Sequence, residues 1–166
     1  TAPTTEVTKQ VITCGRPSAE MKAVELPVYN SIIKIAGKPT WADIDLTIRD
    51  DATGAVSQLV GEQIQKQFDF FEQASAASGI DYKFTMVIEI LDGGNGAFAP
   101  TVLEAFELEG CYISKTKYLD VDYSKNDPLT VVCTISYDNA IQTNAAGNPT
   151  GIGQNVGRTI RTLATG

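Results

Sequence analysis

The residues best equipped for chemistry in this chain are carboxylates, thiols and a glycine-rich loop. Glu104, Glu107 and Glu109 sit close together, with Asp120 and Asp122 shortly after. Two carboxylates flanking one bond are the acid and base of a glycosidase. In an alternating segment the same residues form the solvated face of a strand, and no sugar-stacking aromatics share that face. Asp92-Gly93-Gly94-Asn95-Gly96-Ala97-Phe98 has the acid of a calcium loop and the glycines of a phosphate cradle. It lacks the later bidentate Glu and the Gly-Lys-Ser/Thr ending, so it reads as a hairpin loop. Trp41 with Tyr29 would suit a carbohydrate platform, or an interface anchor or core edge. Cys14, Cys111 and Cys133 cannot all pair within one chain, and there is no histidine. Without imidazole a Ser-His or Cys-His pair is impossible, and the commonest metal ligand is missing. The expectation is a chain without catalytic residues, metal or cofactor.

Composition sets the frame for the elements. A chain of 166 residues with 43% hydrophobic content suits one domain with its own core. Apolar runs are only a few residues long, so no membrane segment is expected. The first residues have neither a charged n-region nor an apolar h-region, which predicts a cytosolic product. The net charge of −7 lacks the basic footprint that grips phosphates. It is compatible with DNA moving past a wall without adhering.

Period-2 alternation dominates. Ile44, Leu46 and Ile48 oppose Asp43, Asp45, Thr47 and Arg49 over 41–49. Tyr82, Phe84, Met86, Ile88 and Ile90 share one face of 82–91; Leu129, Val131, Cys133, Ile135 and Tyr137 share one face of 129–137. Shorter strand candidates are 7–13, 28–36, 102–113 and 118–123. Turn signals stand at Gly37-Lys38-Pro39, after Asp92, and at Lys125-Asn126-Asp127-Pro128. One segment has helical period, from about 54 to 77, with Val56, Leu59, Val60, Ile64, Phe68, Phe71 and Ala74 at spacings of three and four. Asp50, Asp51 and Thr53 offer N-caps, and Gly79 a stop. The predicted core is Ile44, Leu46, Ile48, Phe68, Phe71, Phe84, Met86, Ile88, Phe106, Leu108 and Ile135. Residues 14–27 read as a non-periodic arm. Residues 139–166, rich in Asn, Gly, Thr and Ala, read as an extended C-terminal arm beyond a domain of 1–138.

Leu26-Pro27, then Lys34-Ile35-Ala36-Gly37-Lys38-Pro39-Thr40-Trp41-Ala42-Asp43-Ile44 running into Leu46-Thr47-Ile48-Arg49-Asp50-Asp51, resembles the tail tube proteins of contractile-tailed bacteriophages. In that family a Leu-Pro precedes a strand ending in Ala-Gly, an aromatic strand follows, and an acidic pair opens the single helix. Phe106-Glu107-Leu108-Glu109-Gly110-Cys111-Tyr112-Ile113 resembles a later strand of the family, although no proline follows it. Leu119 to Tyr123 and Leu129 to Tyr137 also fit, so the resemblance covers about 20–138.

The resemblance implies a mainly β fold, an antiparallel β-sandwich or half-barrel with one flanking helix. It implies that six copies close a ring whose inner strands merge into one barrel, and that rings stack into a pipe. Its partners would be further copies, the tail sheath, the baseplate and the tape measure protein, with DNA passing through unbound. Such a protein assembles in the host cytoplasm and ends in the virion tail. Tubes of type VI secretion and pyocins share the fold and stand as the alternative; a stand-alone carbohydrate-binding sandwich is a third. On this reading Lys34, Asp45, Thr47, Arg49, Lys83, Thr85, Glu89, Glu107 and Glu109 are lumen-lining candidates, three cations against four acids. Cys111 is expected on the outward face with Glu107 and Glu109, and Cys14 in an arm. Small buried thiols are the plain reading of the three cysteines, Cys133 among the core; an inter-subunit disulfide between Cys14 and Cys111, formed after release, is the sharper one.

Overall fold

The structure is a computed structural model that describes residues 8–51, 53–94, 96, 98–120 and 128–154. Its strands are β1 (Val11–Cys14), β2 (Ala19–Val28), β3 (Ser31–Trp41), β4 (Ile44–Arg49), β5 (Phe68–Asp69), β6 (Ala74–Ser75), β7 (Phe84–Leu91), β8 (Val102–Tyr118), β9 (Thr130–Ser136) and β10 (Asn139–Asn144). One α-helix of several turns, α1 (Ala55–Gln67), stands among them in the described residues. The expected class holds: mainly β, antiparallel, in the half-barrel class with one flanking helix. No helix of the described residues is long and apolar enough to cross a membrane.

The main sheet has the order β1-β4-β9-β8-β10, and β7 also pairs β8. The chain divides into two compact units, one of residues 1–86 and 109–139, the other of 87–108 and 140–166. In the first, Ile44, Leu46 and Ile48 of β4 pair in register with Ile135, Cys133 and Val131 of β9. All six side chains are buried, with Val56 and Val60 of α1, Cys111 and Tyr137. This is the alternation legible in the sequence, since a buried face pins a strand's register. In the second unit Ala105, Phe106, Leu108 and Ala140 are buried. Residues 139–144, expected to begin the extended C-terminal arm, form a strand. Phe68, Phe84, Met86 and Ile88 are only half-buried.

Three expectations change. The helix stops at Gln67, ten residues before its expected end, and Phe71 is 95% exposed. The Asp69 carboxylate accepts from the backbone N–H groups of Phe71 (2.9 Å) and Glu72 (3.2 Å). A side chain that takes backbone donors offers the chain a turn in place of helix. Phe68-Asp69 then pairs Ala74-Ser75 as a small hairpin.

Gly37-Lys38-Pro39 is not a turn but lies inside β3, where the register with β2 shifts between Met21 and Ala23. A Cβ at Gly37 would collide with the Lys22 carbonyl, so the bulge needs glycine there. The turn falls instead at Tyr29-Asn30, with Tyr29 at φ 48°.

Cys111 is not outward but fully buried. Gly110, at φ 66°, interrupts the alternation of β8, so Leu108 and Cys111 are both buried although three residues apart. The residues that made Cys111 an exposed bridging partner of Cys14 were counted through that bulge.

Candidate assembly surface

Residues 14–27, expected as a non-periodic arm, supply most of β2, which pairs β3 in a hairpin that joins no other strand among the described residues. Cross-strand partners share a face: Val24 with Ile35, Leu26 with Ile33, and Val28 with Ser31. Val24, Leu26, Val28, Ile33 and Ile35 therefore line one side, each 40–51% exposed. The other side carries Glu25 opposite Lys34, whose charged groups are 3.4 Å apart. The first side is the more apolar of the two, since Glu25 and Lys34 share theirs with Pro27 and Ile32, and among the described residues it stays about half exposed. An uncovered apolar face of that kind marks a protein contact. Lys34 thus sits on the polar side of this hairpin, not on the main sheet. Tyr29 lies at the hairpin turn and Trp41 at the far end of β3, about 35 Å away at ~3.3 Å per residue. They form no common platform; Trp41 packs against Tyr137 with ring centroids 5.6 Å apart and the planes tilted by 47°.

The face of β4 turned from the core carries Asp45, Thr47 and Arg49. Thr134 Oγ1 of β9 donates to Asp45 Oδ1 at 2.7 Å, and Ser136 Oγ donates to Asp43 Oδ1 at 2.6 Å. Arg49 Nε donates to Gln10 Oε1 at 3.1 Å. In register beyond Thr134 and Val132 stand Lys115 and Lys117 of β8. The face is therefore striped, with Asp45, Thr47 and Arg49 on β4, the Thr134 and Ser136 hydroxyls on β9 and lysines on β8. The stripes are about 5 Å apart, the spacing of neighbouring strands. Sequence reading missed both lysines because it ended this strand at 113, whereas β8 continues to Tyr118 through a second register shift between Ile113 and Lys115.

Among the other candidates, Glu109 is exposed on β8 and accepts from Asn139 Nδ2 at 3.3 Å. Glu107 is exposed on the same strand, and Thr85 and Glu89 on β7. Lys83 is tied to Asp138, Nζ to Oδ2 2.6 Å, and that hydrogen bond raises its pKa. The structure thus groups Asp45, Thr47 and Arg49 on one strand face, and leaves Lys34 on the hairpin.

Two of the carboxylates weighed for catalysis, Glu104 and Glu109, have structural partners. Glu104 accepts from Gln142 Nε2. Asp92 closes its loop by accepting from the Thr101 hydroxyl (2.7 Å) and the N–H groups of Thr101 (2.8 Å) and Gly94 (3.3 Å), which lower its pKa. The loop borders a shallow cleft with Phe98 and Ala99. Among the described residues no cluster of three His, Cys, Asp or Glu side chains is placed to hold a metal. Asp120 is exposed; Asp122 lies outside the described residues.

No family model and no curated protein matches the chain. Solved structures do. A chain of the anti-feeding prophage (AFP) baseplate, 6-fold symmetrised, aligns with TM-score 0.59 at 10% identity over 80% of this chain and 79% of that one. A chain of the PVC sheath-tube complex, an extracellular contractile injection system in the extended state, aligns with TM-score 0.56 at 14% identity over 81% and 86%. A type six secretion system protein aligns with TM-score 0.50 at 13% identity over 85% and 75%. At these identities the fold is what is shared. The chain has the antiparallel, single-helix fold found in chains of contractile injection machines, and the tail-tube resemblance read from its sequence holds at that level.

Proposed function

We propose that this chain is a structural, non-enzymatic subunit of the tube of a contractile tail, closing with copies of itself into hexameric rings that stack into a pipe. The observation that carries the proposal is the β2–β3 hairpin, whose apolar side of Val24, Leu26, Val28, Ile33 and Ile35 stands in solvent. Such a face is a liability in a monomer and an adhesive in an assembly. The likeness of fold to chains of contractile machines supports the same reading. In a tube the arms of the sequence reading join copies, the hairpin as one and the C-terminal extension as the other. Sheath, baseplate and tape measure protein are the further partners.

The lumen wall comes from the striped face, with Asp45, Thr47, Arg49 and the added Lys115 and Lys117. Counting Asp43 with them, two acids stand against three cations, a net charge of about +1 per copy, where the nine residues first read give −1. Phosphate binding grows with each cation engaged, so the wall lets a polyanion pass to the extent that Asp43 and Asp45 offset Arg49, Lys115 and Lys117. In a phage virion the cargo is DNA under ejection. The second reading, a tube of an extracellular or type VI-like injection system, is favoured by the fold neighbours, which come from AFP, PVC and type six structures.

Sedimentation velocity of the purified chain over a wide concentration range, with and without preformed tube ends as nuclei, tests the proposal. Large assemblies should form from the intact chain and be lost in Ile33→Asp, while circular dichroism stays unchanged. Assembly by Ile33→Asp as readily as by the intact chain refutes it.

A further inference from the structure

Past the end of α1 several bonds hold a turn whose outermost side chain touches almost nothing. Asp69 Oδ1 accepts from Gln65 Nε2 at 2.7 Å, as well as from the N–H groups of Phe71 and Glu72. Gln65 Oε1 accepts from Phe70 N at 3.4 Å, and Gln73 closes the turn at φ 55°. Phe70 leans edge-on against Phe68, their ring centroids 5.2 Å apart. Phe71 is left in solvent, 95% exposed, so its ring rests on no surface of its own chain. Fixing the backbone here costs entropy, and the ring buries nothing in return within the monomer. An anchor for binding needs that arrangement, because an aromatic already held in place loses little freedom on docking.

The more apolar side of the β2–β3 hairpin offers a surface of matching size. Val24 pairs with Ile35 across the strands, and Leu26 with Ile33. The two pairs form a patch about 5 Å wide and about 7 Å long, the footprint of one aromatic ring. Charge agrees with shape. Residues 68–81, which carry the ring, include Asp69, Glu72 and Asp81 and no cation, a net −3. Residues 19–41 set three lysines, Lys22, Lys34 and Lys38, against Glu20 and Glu25, a net +1 in a chain whose total is −7. All three lysines are exposed. Opposite local charges steer the two surfaces together and oppose the pairing of either with itself.

We propose that Phe71 of one copy seats on the patch of Val24, Leu26, Ile33 and Ile35 of a neighbouring copy. The contact rests on the tube reading and names the part of a second copy that covers the hairpin. Knob and patch are different surfaces, so each copy offers both at once. A contact of that kind repeats head to tail, closing into a ring or running on along a stack.

The test follows the intact chain, Phe71→Ala and Ile33→Asp by sedimentation velocity against protein concentration, with tube ends supplied as nuclei. A further chain carries p-benzoylphenylalanine in place of Phe71, which keeps an aromatic ring and cross-links on irradiation to what it touches. Mass spectrometry of assemblies mixed from isotope-labelled and unlabelled copies locates the bond and tells contacts between copies from contacts within one. Phe71→Ala should keep the circular dichroism of the intact chain and raise its assembly threshold about tenfold or more, as loss of an interface anchor does. The cross-link should join position 71 of one copy to residues 24–35 of another. An unchanged threshold for a folded Phe71→Ala overturns the contact. So do cross-links that fall on any other surface, whether of a copy of this chain or of a different tail component. Either result leaves the tube reading standing if the intact chain assembles and Ile33→Asp does not. If Phe71→Ala loses the fold, the cross-link decides alone. If the intact chain stays monomeric at every concentration, tube ends included, the tube reading fails and the contact with it.

Discussion

Gly110, at φ 66°, lies directly against Asp138, and a Cβ at position 110 would overlap the Asp138 carboxylate. That carboxylate also receives Lys83 Nζ, and Asp138 N donates to Glu109 O at 3.0 Å. One glycine therefore sets the bulge that turns Cys111 inward and leaves room for the Lys83 ion pair. Gly110→Ala should cost about 1–3 kcal/mol, from the left-handed backbone and the displaced carboxylate together. Urea denaturation measures it. A midpoint unchanged from the intact chain would mean the bulge tolerates a side chain.

Gly61 predicts the opposite sign. It lies within α1 at an ordinary helical φ, and a Cβ there meets nothing within 4 Å. Gly61→Ala should stabilise the monomer by about 0.5–1 kcal/mol, the usual gain in a helix interior. A loss of stability in the same urea titration would place an unseen close contact at that position.

The strands of the first unit were legible because one face is buried and the other is wet. Ile44, Leu46 and Ile48 announce β4, and Val131, Cys133 and Ile135 announce β9. Strand β8 was legible over 102–113, with Phe106 and Leu108 placed in the core, but its faces beyond were not, because its two register breaks, at Gly110 and between Ile113 and Lys115, reverse the parity that alternation arguments rely on. The end of α1 was hidden in one side chain, Asp69, whose carboxylate stops a helix that the apolar spacing would continue. The hairpin was hidden for a different reason. Both of its faces are exposed, so no core imposes alternation on β2, and a glycine-proline pair that usually marks a turn serves there as a bulge.

Burial of the thiols predicts their chemistry. Desolvation raises the pKa of Cys14, Cys111 and Cys133, and the last two are 0% and 2% exposed. A thiol reagent at neutral pH should modify at most Cys14 in the folded chain, slowly, and all three in denaturant. Rapid labelling of Cys111 in the native protein would contradict the Gly110 bulge.

The acids predict a one-sided pH dependence. Asp51, held by the Thr53 hydroxyl, Asp69, held by the N–H groups of Glu72 and Phe71, and Asp92, held by Thr101, have pKa values below the ordinary 3.8. A depressed folded pKa gives stability that is full above the unfolded value and is lost as pH falls through the folded one. With no histidine to titrate, the melting temperature should be flat between about pH 5 and 8 and fall only below about pH 4. Thermal scans across pH check this. A transition near pH 6 would require another titrating group.

The central claim is that the apolar side of the β2–β3 hairpin is buried by another copy of this chain. A cryo-electron microscopy reconstruction of the assembled protein tests it most directly. The account predicts stacked rings around an open channel, with Val24, Leu26, Ile33 and Ile35 covered by a neighbouring copy and Asp45, Lys115 and Lys117 facing the channel. Assemblies in which these hairpin residues remain in solvent, or a chain that stays a compact monomer with the hairpin folded against its own sheet even when tube ends are supplied, would contradict it.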